Sequence, residues 1–185
     1  MKENDTAGKE FWESAWADYK AQLYTEPLFD FHELYKQYLP VDLSRSCIEI
    51  GAMPGNHLVY FHKEFGYRVT GIDYCSDLNP ILETMRVNEI VDYSLITADV
   101  FNLGDTKQYD VVFSSGFVEH FEDYRGVVET HAKLVAPAGF LLISVPNTTY
   151  LHKLLMKRFC PRVYEIHRDY LMDKNIMRSV VEELG

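Results

Sequence analysis

Three acidic side chains lie where apolar, strand-like runs of the sequence end. Glu49 lies in "SCIEI", Asp73 ends "RVTGID" and Asp99 ends "YSLITAD". Because the carboxyl ends of parallel strands meet at one edge of a sheet, we expect these carboxylates to surround one ligand. Asp73 or Asp99 alone could simply cap the helix or turn that follows it. Three acids at successive strand ends favour a binding site.

The turn "EIGAMPG", residues 49–55, determines which ligand that site suits. A dinucleotide site requires G-x-G-x-x-G, and here only Gly51 fits, since Met53 and Asn56 replace the other two glycines. The lysine of a P-loop is also missing. Glu49 would repel a pyrophosphate but suits a cationic ligand that carries an ammonium or sulfonium group. Met53 must avoid a positive φ or accept strain, which glycine would not.

His120 follows the small-residue turn after "YDVVFSS", at the edge of the sheet where a ligand should bind. A neutral imidazole there could take the proton of a substrate hydroxyl. The alternatives are that His120 orients the substrate or only hydrogen-bonds the loop. His131 lies on the apolar face of a predicted helix, and we expect it to be a packing residue.

Strand-like and helix-like segments alternate around these residues. An apolar parallel sheet covered by helices on both faces is the fold that this alternation predicts. Before the sheet, helical spacing predicts one helix from Trp12 to Leu23 and a second that begins near Pro27. The predicted strands are SCIEI, RVTGID, YSLITAD, YDVVFSS and FLLISVP.

Composition limits the kinds of partner. The 185 residues carry a formal net charge of -10, which argues against a nucleic-acid partner. Three cysteines without C-x-x-C spacing (Cys47, Cys75 and Cys160) indicate a reducing compartment and no structural metal. No segment reads as a signal peptide or as a membrane span. We therefore expect a cytoplasmic protein that contacts neither nucleic acid nor membrane.

The order of these motifs over residues 45–150 resembles class I S-adenosylmethionine-dependent methyltransferases. E-x-G-x-x-x-G is followed by GID, AD, SSGFVEHF and LVAPAGFLLISVPN. The small-molecule branch, with ubiquinone-type and natural-product or sugar methyltransferases, is the most similar. The resemblance implies a Rossmann-like, doubly wound parallel sheet, with S-adenosylmethionine as cofactor and S-adenosylhomocysteine as product. The departure is Met53 in place of the usual middle glycine.

The resemblance also assigns site residues. Asp73 would hold the ribose hydroxyls and Asp99 the adenine amino group, while Glu49 would line the methionine end. His120 is the candidate catalytic residue, and no metal ligand is assigned. The implied cofactor-binding residues are Glu49, Gly51, Ala52, Met53, Gly55, Asp73, Tyr74, Cys75, Asp99, Val100, Phe101, Ser115 and Gly116.

Residues 1–44 are predicted to form a helical lid or cap, and residues 45–185 the cofactor-binding domain. The resembling fold usually has seven strands, and we expect the last two to be absent here. "FLLISV" would then be an apolar edge strand, covered by residues 147–170 or paired with a second copy in a homodimer.

The expected function is methyl transfer from S-adenosylmethionine to a small-molecule acceptor, with oxygen as the first expected acceptor atom and nitrogen or carbon open. One alternative is a catalytically impaired, cofactor-binding partner or regulatory subunit. A nicotinamide-dependent oxidoreductase is disfavoured by Met53 and Asn56.

Overall fold

The computed structural model describes residues 6–27, 31–103, 107–147, 150–168 and 173–184. Its strands are β1 (Ser46–Ile50), β2 (Arg68–Asp73), β3 (Tyr93–Thr97), β4 (Tyr109–Ser115) and β5 (Val135–Ser144). All pairings are parallel, in the order β3-β2-β1-β4-β5. The direction of the strand order reverses between β1 and β4, so the ligand-binding crevice is expected there. The predicted parallel α/β sheet is confirmed.

Helices flank this sheet. They are α1 (Lys9–Trp16), α2 (His32–Tyr38), α3 (Asn56–Phe65), α4 (Asn79–Val87), α5 (Tyr124–Lys133), α6 (Tyr150–Phe159), α7 (Pro161–Glu165) and α8 (Lys174–Leu184). Two short 3-10 turns, Val100–Asn102 and Val118–His120, follow β3 and β4. The alternation of strands and helices predicted from the sequence is present from β1 to α5.

The turn after β1 is held in place by the two elements on either side of it, β1 and α3. All five residues of β1 are buried, as a strand covered on both faces requires. Gly55 and Gly66 take left-handed φ angles of 98° and 75° at the two ends of α3, which fixes where the helix begins and ends. Between them, α3 packs buried apolar side chains, Phe61 among them, into the core beside Phe113 of β4.

The N-terminal helices are shorter than predicted. α1 ends at Trp16 rather than at Leu23, because the following segment runs along other elements. Tyr19 Oη donates to Asn56 Oδ1 (2.9 Å), and Tyr24 Oη donates to Glu64 Oε1 (2.8 Å). These contacts with α3 replace further helical turns. α2 begins at His32, after the predicted start near Pro27.

α2 bears on the predicted domain boundary after residue 44, and β5 differs from the prediction in where it begins. Tyr35 and Leu39 pack into the same core cluster as α3, so residues within 1–44 contribute to the main core. β5 starts at Val135, five residues before the predicted strand, because Val135 pairs with Tyr109 of β4. Residues 136–139 form an irregularity without partners in β4, and regular pairing runs from Phe140, where the predicted strand begins, to Ser144. The division into residues 1–44 and 45–185 stays a prediction.

The outer side of β5 meets no further strand in the part of the chain that the structure describes. α8 packs against α5, with Val180 buried beside Val127 and Val128. None of the described helices is both long and apolar enough to cross a membrane. Homodimer formation through the β5 edge stays a prediction.

Candidate functional site

A cavity that is partly open to solvent lies at the carboxyl ends of β1, β2 and β4. This is the position that the strand order predicts for a ligand. Its walls are formed by Trp12, Trp16, Ile50, Gly51, Met53, Ile72, Asp73, Tyr74, Cys75, Ala98, Val100, Ser115, Gly116, Phe117, His120 and Phe121.

The turn after β1 forms one wall through its backbone. Gly51 has a φ of 71°, and its N–H donates to the Ile72 carbonyl (2.9 Å), as does the N–H of Ala52 (3.2 Å). Met53 keeps its φ outside the positive range, and its peptide bond to Pro54 is cis. The strain expected at Met53 is therefore avoided, because glycine, not Met53, takes the left-handed conformation.

Asp73 stands at the end of β2 with both carboxylate oxygens facing backbone amides. Oδ1 accepts from Cys75 N–H (2.9 Å), and Oδ2 accepts from Met53 N–H (3.3 Å). Each carboxylate oxygen can accept a second hydrogen bond, so the group holds the turn while still presenting acceptors to the cavity. Only 7% of Asp73 is exposed, which keeps this carboxylate in one orientation.

Glu49 does not line the cavity. Its Oε1 lies 2.7 Å from Nδ1 of His57 on α3, and its side chain is 2% exposed. Oε2 has no hydrogen-bond partner among the described residues. Burial raises the pKa of Glu49, and the His57 contact opposes that shift. His57 was not identified from the sequence, because nothing in the spacing of Glu49 and His57 marks them as a pair.

Ala52 and Gly55 are buried in the packing behind the turn. The Ala52 methyl group lies 3.0 Å from the place that a Cβ on Gly71 would take, and a Cβ on Gly55 would lie 3.1 Å from Ile81 Cγ2. Both positions therefore support the geometry of the turn, and their contact with a cofactor stays a prediction.

Asp99 caps the 3-10 turn that follows β3. Its Oδ1 accepts from Phe101 N–H (3.1 Å), which is the capping role considered as the alternative. Val100 lines the cavity, while the Phe101 ring packs edge-on against Phe121 at 5.5 Å. A contact between Asp99 and an adenine amino group stays a prediction.

His120 reaches the cavity from the 3-10 turn after β4 and is 4% exposed. Its Nδ1 lies 3.0 Å from the Ile166 carbonyl, and since a carbonyl can only accept, Nδ1 carries a proton. In the neutral ring, Nε2 then carries the lone pair. That nitrogen lies 3.9 Å from Oε1 of Glu119, whose complete burial raises its pKa to about 7.

His131, in contrast, is a satisfied core residue, as expected. Its Nδ1 donates to the Val127 carbonyl (2.8 Å), and its Nε2 lies 3.0 Å from Ser114 Oγ. Burial lowers its pKa to about 4, so the ring is neutral at physiological pH.

α1 contributes Trp12 and Trp16 to the wall of the cavity. No residue of α1 is buried, and polar contacts hold the helix in place. Lys9 Nζ donates to Ser76 Oγ (2.6 Å), Glu13 accepts from Ser76 N–H (2.9 Å), and Thr6 N–H donates to the His120 carbonyl (2.9 Å). Trp12 and Trp16, which lie at helical spacing in the sequence, therefore form part of the cavity wall.

The remaining lining residues are apolar and were not identified from the sequence. Ile50 and Ile72 directly precede the predicted Gly51 and Asp73, so their places at strand ends were the available signal. Phe117 and Phe121 come from the turn after β4 and pack on each other at 4.9 Å.

Comparison with known sequences gives the family. Residues 19–185 match the family model described as Methyltransferase domain. The ubiquinone biosynthesis O-methyltransferase of Hydrogenovibrio crunogenus is 29% identical over 125 residues, which are 66% of this chain and 51% of that protein. Its counterpart in Burkholderia vietnamiensis is 33% identical over 84 residues, 44% of this chain and 36% of that protein. The chain spans about half the length, or less, of these two relatives.

Solved structures share the fold at low identity. The phosphoethanolamine N-methyltransferase 2 of Haemonchus contortus, with S-adenosylhomocysteine, has a TM-score of 0.63 at 18% identity over 83% of this chain and 36% of that one. A methyltransferase of Thiobacillus denitrificans has a TM-score of 0.53 at 16% identity over 71% and 53% of the two chains. The family model spans the sheet, the turn after β1 and most of the cavity wall. This chain therefore belongs to the methyltransferase domain family and has its class I, Rossmann-like fold.

Proposed function

We propose that this chain binds S-adenosylmethionine in the cavity at the strand ends and transfers its methyl group to a small-molecule acceptor, first of all to a hydroxyl oxygen. The observation that carries the proposal is the position of Asp73, a buried carboxylate at the end of β2 that lines the cavity together with Gly51 and Tyr74. Family membership supports the same cofactor.

The adenosine half fits the β2 side of the cavity. Asp73 would accept hydrogen bonds from the two ribose hydroxyls, as acids at this position do in related folds. Tyr74 and Cys75 would flank the adenine, and Val100 and Ala98 add apolar lining to the same cavity. Asp99 would accept from the adenine amino group.

The methionine half fits the side between β1 and β4. Gly51, Ser115 and Gly116 line that side with little side-chain bulk, so a ligand can approach the backbone. Trp12 and Trp16 also line the cavity, and aromatic faces stabilise a cationic sulfonium group by cation–π attraction. Glu49 would act there through the electrostatic field of its buried carboxyl group, since His57 holds its side chain away from the cavity wall.

The bound cofactor would supply an electrophilic methyl group on a sulfonium sulfur. The chain's part is to align the acceptor with that group and to exclude water, which α1 and its tryptophans favour by covering the cavity. His120 is the candidate catalytic residue, because its ring lines the cavity with Nδ1 protonated and a lone pair on Nε2. In this mechanism Nε2 takes the proton of the acceptor hydroxyl.

Oxygen is proposed as the acceptor atom because the two curated relatives are named O-methyltransferases. Nitrogen and carbon acceptors use the same alignment, and a panel of hydroxylated, amine and enol acceptors distinguishes them. A chain that binds the cofactor but methylates nothing in that panel would favour the impaired partner or regulatory subunit.

A cytoplasmic location is also proposed, because three free thiols suit a reducing compartment.

Calorimetric titration with S-adenosylhomocysteine tests the cofactor site. Asp73→Asn keeps the shape of the side chain but removes its charge and one acceptor. Because hydrogen bonds to a charged group contribute about 1.5–3 kcal/mol, we expect affinity to fall roughly 10- to 100-fold.

The matched control is Asp92→Asn, an exposed acid before β3, which should leave the affinity unchanged. Equal affinity of the wild type and Asp73→Asn would contradict the assignment. NAD should not bind to any of the three proteins.

A homodimer through β5 is the proposed assembly. Its support is the outer edge of β5, which pairs with no strand among the described residues and which a second copy could extend. Sedimentation equilibrium should show a concentration-dependent dimer. A single monomeric species across the concentration range would rule this out.

A further inference from the structure

Glu49 and His57 form a hydrogen-bonded pair directly behind the turn after β1. Oε1 of Glu49 lies 2.7 Å from Nδ1 of His57, and the two side chains are 2% and 22% exposed. The His57 ring also packs edge-on against Phe113 at 4.8 Å, which restrains its orientation. An ionised carboxylate can only accept, so Nδ1 carries the proton of this bond while Glu49 is charged. With a neutral imidazole, the pair therefore has one net negative charge.

The charge of Glu49 depends on this contact. Burial raises the pKa of the Glu49 carboxyl, and the negative charge of Asp73 raises it further, whereas the His57 contact lowers it. A buried carboxylate that loses its hydrogen-bond donor tends to take up a proton instead of staying charged. Removal of the imidazole would therefore favour the neutral form of Glu49.

The Glu49 carboxylate lies close to the cavity although it does not line it. Glu49 precedes Gly51 by two residues, and because an extended chain spans at most about 3.6 Å per residue, their backbones are at most about 7 Å apart. Gly51 lines the cavity. Glu49 Oε2 is buried and has no hydrogen-bond partner among the described residues. A positive charge on a ligand in this part of the cavity would offset the cost of burying that oxygen.

The cofactor and its product differ by one charge at sulfur. S-adenosylmethionine has a cationic sulfonium, and S-adenosylhomocysteine has a neutral thioether in its place. We propose that His57 is a positioning residue that keeps Glu49 ionised and thereby makes the cavity prefer S-adenosylmethionine over S-adenosylhomocysteine. This role rests on the proposed binding of S-adenosylmethionine in the cavity. Such a preference favours the exchange of product for new cofactor after each methyl transfer.

Calorimetric titration of the full chain with each of the two ligands tests the role of His57. The quantity to compare is the dissociation constant of S-adenosylhomocysteine divided by that of S-adenosylmethionine. His57→Leu keeps a side chain that can pack on Phe113 but removes the donor to Glu49. Two unit charges about 10 Å apart, at an effective dielectric constant of about 20–40, attract each other enough to change this ratio roughly 4- to 16-fold. We expect His57→Leu to lower the ratio by that factor, mainly through weaker binding of S-adenosylmethionine.

Three further variants separate the charge of Glu49 from the packing of His57. His57→Asn keeps an N–H donor near the position of Nδ1 and should restore most of the ratio. Glu49→Gln removes the charge but keeps the shape, so it should lower the ratio as His57→Leu does, and adding His57→Leu to it should change the ratio no further. His62→Leu is the matched control, because it removes another imidazole of α3, whose Nδ1 donates to the Tyr67 carbonyl (3.0 Å). It should keep the wild-type ratio.

Equal weakening of both ligands by His57→Leu would overturn the proposal, since it would mean that His57 only supports α3. A wild-type ratio in Glu49→Gln would also overturn it, and this comparison holds even if circular dichroism shows that His57→Leu does not fold. Wild-type protein that binds neither ligand would refute the proposed function, and the preference with it. Binding of both ligands with one ratio in all variants would refute the role of His57 alone.

Discussion

Gly51 is subject to two independent restraints. Its φ is 71°, and a Cβ there would lie 2.6 Å from Cδ2 of Phe117. Gly8 has a similar φ of 75° but nothing within 4 Å of its Cβ position. Gly8→Ala should therefore cost about 1–2 kcal/mol of strain at most. Gly51→Ala adds overpacking of about 1–3 kcal/mol to that strain.

Urea unfolding of the two variants measures this difference. Gly51→Ala should be the less stable protein, and adding Phe117→Leu should restore part of the loss by making room for the methyl group. If the two alanine variants unfold at the same urea concentration, the contact between Phe117 and the turn does not constrain position 51.

His131 links stability to pH through its burial. Its folded-state pKa of about 4 lies below the ordinary 6.5, so the unfolded chain takes up the proton first as the pH falls. The stability contribution is complete above pH 6.5 and is lost as the pH falls toward 4. Between pH 7 and pH 5 the loss should be about 2 kcal/mol.

Glu119 acts in the opposite direction, because its pKa is raised to about 7 and protonation there favours the folded state. The test is therefore the difference between the wild type and His131→Gln in urea unfolding at pH 7 and pH 5. The wild type should lose about 2 kcal/mol more than the variant over this interval. Parallel pH dependences would mean that His131 is protonated in the folded protein.

At the scale of elements, α1 is the part of the structure that should respond to a ligand. It buries none of its own residues, yet Trp12 and Trp16 form part of the cavity wall. An element with few buried contacts opens and closes at low free-energy cost, which is what a lid requires. The contacts of Lys9 and Glu13 with Ser76 connect it to the loop after β2.

The two tryptophans of the chain are both on α1, so tryptophan emission, excited at wavelengths that tyrosine does not absorb, reports on this helix alone. S-adenosylhomocysteine should change the emission, and Trp12→Phe and Trp16→Phe should each remove part of the change. NAD at the same concentration is the control. An emission that does not change at calorimetrically saturating S-adenosylhomocysteine would mean that α1 does not contact the ligand.

At the scale of the whole molecule, ligand binding and folding are linked because the cavity is assembled from β1, β2, β4 and α1 together. A ligand that binds only the folded state stabilises it by about 2.7 kcal/mol at 100 times its dissociation constant. For a domain of this size, that corresponds to a rise in melting temperature of roughly 5–10 °C.

S-adenosylhomocysteine should produce such a rise in thermal unfolding, and NAD should not. Asp73→Asn should need a higher ligand concentration for the same rise, which connects the global measurement to one residue. A melting temperature that is independent of S-adenosylhomocysteine would contradict cofactor binding at any site in the folded chain.

The sequence by itself determined the architecture. β1, β2 and β4 begin and end where the sequence predicted, because their apolar runs are bounded by turn residues and each strand is buried. The position of Asp73 followed as well, since a residue that ends a parallel strand must lie at the ligand edge. These are local properties of the chain, and local pattern is enough to predict them.

Tertiary structure alone decided where side chains near the site point. Glu49 lies in the predicted strand, but its carboxylate contacts His57. The carboxylate of Asp99 accepts a hydrogen bond from a backbone N–H of the 3-10 turn that follows it. Trp12 and Trp16 lie at helical spacing and form part of the cavity wall, where the Trp12 ring packs edge-on against His120 at 4.8 Å. The rings of His120 and His167 have centroids 4.7 Å apart only because of the path that the chain takes after β5. Contacts between distant segments depend on packing geometry, which residue spacing does not encode.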